Sequence, residues 1–236
     1  MTDNVRMWIE VSFNVTYLVV VWGLVIAMVR QQSVVASENA PVAKRVMWAF
    51  ALLALGDTGH VGFRVLAYAM GGLEAHPLLV GLGALATAYT VTLFYVLMLD
   101  IWRIRFNKKY SWFEYLLLAA AAVRLVMMAL PQNEWARVDP VEPWGIYRNI
   151  PLIVQGIGVM FLILRDAVAT RDNTFMWIGV SIFVSYVCYT PVILWATQMP
   201  VLGMLMIPKT MAYLAVAFLA YREFFSRSVP VQVATA

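Results

Sequence analysis

Apolar residues run along this chain in seven long blocks separated by short polar connections, at positions 8–29, 46–70, 77–102, 112–130, 144–164, 175–195 and 200–221. Each block approaches or exceeds the roughly 20 residues that a helix needs to cross a hydrocarbon core. Tryptophans punctuate the pattern: Trp8, Trp48, Trp102, Trp112, Trp135, Trp144, Trp177 and Trp195 fall at or near block ends, and only Trp22 sits well inside one. Such a distribution is expected of an aromatic belt at two membrane interfaces. The pattern predicts an all-α integral membrane protein of seven transmembrane helices, forming a single domain over residues 1–236. The shortest connection is the "TQMPVLG" turn between the last two helices.

Composition agrees with the pattern. The 236 residues are 63% hydrophobic and 13% charged, and the mean hydropathy is +0.78. A soluble domain carries roughly a quarter charged residues, and one of this length has too small a core to hide so much apolar side chain. Cys188 is the only cysteine, which excludes an intramolecular disulfide. The pI near 9.3 is no sign of nucleic-acid binding, because the basic residues sort by connection. Arg30, Lys44, Arg45, Arg103, Arg105, Lys108, Lys109, Arg165, Arg171, Arg222 and Arg227 lie on one side of the pattern, against Arg6 and Arg137 on the other. The positive-inside rule then puts the N-terminus outside and the C-terminus in the cytoplasm of a plasma or inner membrane. The opening "MTDNVRMWIE" lacks a basic n-region and a small-residue cleavage site, so the first helix is expected to be retained.

Four basic residues remain inside the blocks: Arg64, Arg124, Arg148 and Lys209. They are joined there by Glu10, Asp57 and His60. At about 1.5 Å per residue, Arg148 lies roughly 6 Å and Arg124 roughly 9 Å from a block end, within snorkelling reach of the headgroups. Arg64 is also close to a block end, and Glu10 is expected at the solvated edge. Asp57 and Lys209 fall near block centres, where a charge costs about 2.5–3.5 kcal/mol even on the lenient insertion scale. They form either a structural ion pair joining helices two and seven or part of a polar pocket. The stretch "LGDTGHVGFR" sets Asp57, His60 and Arg64 on one helical face, with His60 within reach of a hydrogen bond to Asp57.

Other polar side chains fall at matching depths. These are Asn14 and Tyr17 in helix one, Tyr89, Thr92 and Tyr95 in helix three, and Gln155 seven residues from Arg148. Ser185, Tyr186, Tyr189 and Thr190 follow in helix six, and Tyr213 lies one turn beyond Lys209. Together they outline an outward-facing pocket, cationic on balance. Asp57, His60, Arg64, Arg148, Gln155, Tyr189, Lys209, Asn14 and Tyr89 are its candidate ligand-binding residues. Arg64, with Arg148 and His60, is expected to grip a carboxylate or phosphate. Gly56, Gly59 and Gly62 recur every three residues beside this face, as in close helix packing. Pro191 and Pro208 are expected to kink helices six and seven, and methionines at 199, 204, 206 and 211 to form a compliant lining.

The seven spans, external N-terminus, helix-seven lysine and "YTPVILW" run of helix six resemble the microbial rhodopsins. That resemblance implies retinal held as a Schiff base on Lys209. The sequence departs from that family's pattern in helix three, which lacks a central aspartate, and at Leu205, where the family has an acid four residues before its lysine; Asp57 would have to act as the counterion. Three functions follow. The first is a receptor, sensor or transporter for a small anionic or amphiphilic ligand, with no cofactor and with membrane lipids as its surroundings. The second is a lipid-modifying enzyme using Asp57 and His60 as a catalytic acid–base pair. The third is the retinal-type chromophore protein.

Overall fold

The computed structural model describes residues 3–226, without the side chains of residues 3–7, 9, 10 and 200. Expectations for the side chains of Arg6 and Glu10, and for Arg227, lie outside the described residues. Seven long helices form: α1 (Asp3–Gln31), α2 (Ala40–Ala69), α3 (Pro77–Arg105), α4 (Trp112–Ala129), α5 (Ile150–Thr170), α6 (Asn173–Trp195) and α7 (Met206–Phe224). There is no strand among the described residues. All seven blocks are long and apolar enough to cross a membrane. Each helix packs on the next and α7 returns to α1, while α3 also touches α5.

The core centres on α3. Phe94, Tyr95 and Leu99 are fully buried, and Phe94 meets Phe50, Tyr95 and Tyr213 edge-on at 5.4, 5.3 and 5.5 Å. The outer faces are apolar as well: Val19, Val126, Phe161, Val187 and Phe218 are all exposed. A soluble protein rarely leaves so much contiguous apolar surface in water.

Local chemistry sets the helix ends. Proline lacks an N–H and suits a first turn, which is where Pro41 and Pro77 stand. Helix α2 therefore starts six residues before the apolar block. Lys44 and Arg45 made this segment read as a connection, but Lys44 faces outward and Arg45 reaches Asp100. Ser111 and Glu114 form a reciprocal capping box that starts α4. Asp172 starts α6 by accepting from the Phe175 N–H at 3.0 Å. Pro208 lies in the first turn of α7, after a 3-10 segment Pro200–Leu205, so it breaks no helix; Pro191 is the one within a helix, and α6 runs on past it to Trp195. Trp102, near the end of α3, is buried and donates to Asp166 at 2.8 Å.

Charges crowd the end of the bundle opposite the N-terminus. Asp100 binds Arg45 and Arg103, and Asp166 binds Arg165 and Lys108 at 2.8 and 3.3 Å. Arg105 reaches Asp172 at 2.8 Å and Glu223 at 3.3 Å. In the α3–α4 connection, burial and then the Asp100 carboxylate push the Tyr110 phenol above its usual value.

Candidate functional site

The half of the bundle nearer the N-terminus encloses a cavity of about 430 Å³ that all seven helices line. Glycine sets one wall. A Cβ on Gly83 would lie 3.0 Å from the His60 Cα, and one on Gly56 would overlap the Thr90 hydroxyl, so α2 and α3 approach closely here. Gly62 has open space around it and takes no part in this packing, contrary to the expectation from spacing.

Close approach brings Asp57 against α3 and α1. Its carboxylate accepts from the Thr87 hydroxyl at 2.9 Å and the Tyr17 hydroxyl at 2.8 Å. Both oxygens are thus engaged, and neither bond comes from His60. The His60 Nδ1 is buried with no hydrogen-bond partner among the described residues. Lys209, on the facing helix α7, lines the same cavity. No direct ion pair joins it to Asp57 among the described residues. Its ammonium instead lies over the rings of Tyr189 and Tyr213, at 4.7 and 5.4 Å from their centres. A cation over an aromatic face gains about 0.5–2 kcal/mol, more when water is excluded. Tyr213 shares a 2.7 Å hydrogen bond with Tyr95, which fixes this aromatic floor.

Arg124 is the largest departure from expectation. It does not snorkel: it is 2% exposed and donates to Thr92 Oγ1 at 2.6 Å, to the Ala88 and Arg148 carbonyls at 3.0 Å each, and to Asn149 Oδ1 at 3.3 Å. The last two acceptors exist because the fifth block is broken. A short helical turn, Trp144–Tyr147, precedes α5, and the chain turns at Arg148 and Asn149 between them. Asn149 also accepts from the Tyr189 hydroxyl at 3.3 Å. Arg148 stacks on Trp135, 4.3 Å from the ring centre, and donates to Asn133. The connection before α5 folds over the start of α3 at Gly81, where a Cβ would collide with the Trp135 carbonyl.

Of the predicted site residues, Asn14, Asp57, His60, Arg64, Arg148, Tyr189 and Lys209 line this cavity. Gln155 and Tyr89 do not. Gln155 is buried between helices and donates to the Thr92 carbonyl at 3.4 Å; Tyr89 ties α3 to α4 through the Leu125 carbonyl at 3.3 Å. Sequence reasoning missed Thr87, Trp135 and Asn149. "RNIP" carried a signal for the last, since a residue before proline resists the helical conformation and marks a boundary nearby. The ionisable lining is uneven: Arg64, Arg124, Arg148 and Lys209 face Asp57 as the one carboxylate among the described residues. No family model, no curated protein and no solved structure matches this chain.

Proposed function

We infer that this chain is a polytopic protein of a plasma or inner membrane whose cavity binds a small anionic or amphiphilic ligand, as a receptor, sensor or transporter does. Support for the membrane comes from seven long apolar helices with exposed apolar faces. The uneven basic residues favour a cytoplasmic C-terminus, which turns the cavity toward the outside. The observation that carries the ligand assignment is the lining itself: among the described residues, Arg124, Arg148 and Lys209 line it together with one already engaged carboxylate, Asp57. Burying such a set is costly, and a bound anion offsets that cost. Guanidinium groups also suit the planar, two-pronged geometry of a carboxylate or phosphate.

The enzymatic alternative uses Asp57 and His60 as a general acid–base pair on a lipid, and there the Asp57 oxygens already accept from Tyr17 and Thr87. Titration of the purified protein with anionic, neutral and cationic single-chain amphiphiles tests the assignment. Binding of the anionic member alone is expected, weakened at least tenfold in Arg148→Gln and in Lys209→Gln. Equal binding of all three, or preference for the cation, would overturn it.

A further inference from the structure

Behind the cavity, on the outer face of the bundle, an apolar groove runs between α6 and α7. Trp177, Val180 and Val184 form one side, and Pro208, Met211 and Ala215 the other. The spacing is helical on both sides, so the groove follows the two helix axes. Its hydroxyl, Ser181, is spent on the Trp177 carbonyl of its own helix at 2.8 Å, leaving the surface without a polar demand. From Ile207 to Ala215 it extends about 12 Å at 1.5 Å per residue.

One residue joins groove and cavity. Ile207 lines both. Met204 and Met206 stand on the cavity side of the same segment, and their unbranched side chains repack readily. The segment is also where a 3-10 turn passes into α7, and Pro208 there brings no N–H to the helical ladder.

We propose that the ligand is a single-chain anionic amphiphile whose headgroup lies among the cavity cations and whose hydrocarbon tail passes Ile207 into the α6–α7 groove. This rests on the anion-binding reading above and adds the ligand's class and the course of its tail. Charge complementarity fixes which end enters the cavity. A cavity of about 430 Å³ that shares only Ile207 with the groove favours a single chain over two.

The test uses the full chain and a series of straight-chain carboxylates from butanoate to tetradecanoate. Affinity is expected to rise about two- to fourfold per added methylene once the tail passes Ile207, as apolar burial dictates. Ile207→Trp should flatten that rise, and a cooperative unfolding transition like that of the wild type reports an intact fold. Ala215→Trp, at the exposed far end of the groove, should remove the gain for the longest chains only, and carries the test if Ile207→Trp does not fold. An unaltered slope in Ala215→Trp and in any folded Ile207→Trp protein overturns the tail's course. A double-chain phosphatidate binding as tightly as tetradecanoate overturns the single-chain class. Failure of wild-type protein to bind any member overturns the anion-binding reading itself, a result distinct from both.

Discussion

Replacing Arg124 with methionine tests whether a buried guanidinium organises the cavity. The loss is smaller than the contact list suggests. Charge-assisted hydrogen bonds contribute about 1.5–3 kcal/mol each, but the Ala88 carbonyl keeps the Thr92 hydroxyl at 2.8 Å and Asn149 Oδ1 keeps that of Tyr189 at 3.3 Å. The bonds to Thr92 and to the Arg148 carbonyl form the uncompensated part, about 3–6 kcal/mol on the same scale. Methionine also removes the cost of holding a cation in apolar surroundings, about 2.5–3.5 kcal/mol. The difference leaves Arg124→Met destabilised by about 0.5–2.5 kcal/mol. A double-mutant cycle with Thr92→Val separates the two effects, because burial of the cation cancels between its arms. Reversible unfolding in mixed lipid–detergent micelles should give a coupling of about 1.5–3 kcal/mol. Additivity within about 0.3–0.5 kcal/mol would refute the clamp and return Arg124 to the headgroup position that its sequence depth suggested.

Three further outcomes follow from named contacts. Gly81→Ala should cost about 1–3 kcal/mol through collision with the Trp135 backbone, whereas Gly62→Ala, with open space around it, should gain a few tenths to about 1 kcal/mol of helix stability; equal effects in unfolding would contradict the packing described. Asp57→Asn leaves the cavity one negative charge poorer, so titration should show tighter anion binding, and weaker binding would indicate that Asp57 itself contacts the ligand. Asp57→Asn combined with Lys209→Gln should show a coupling below the 3–5 kcal/mol typical of a broken buried ion pair, since Asp57 is held by hydroxyls and Lys209 by aromatic rings rather than by each other.

How much was legible depended on what each residue needs. The seven helices followed from apolar length alone, and the polar face of α2 from the spacing of Asp57, His60 and Arg64. Helix ends were less legible where charge misled: Lys44 and Arg45 looked like loop, yet Arg45 lies inside α2 because Asp100 of α3 receives it. Depth along a single helix mispositioned Arg124, because the acceptors that hold it inside come from α3 and from the break before α5. Spacing likewise gave Gln155 and Tyr89 the right height but not the direction of their side chains, which packing with neighbouring helices decides.

Native mass spectrometry of the protein released from its membrane tests the central claim most directly. A retained small molecule that is anionic and single-chained is expected, bound by the wild-type protein and lost from folded Lys209→Gln and Arg148→Gln variants. A neutral or cationic molecule, retained equally by all three proteins, would contradict it.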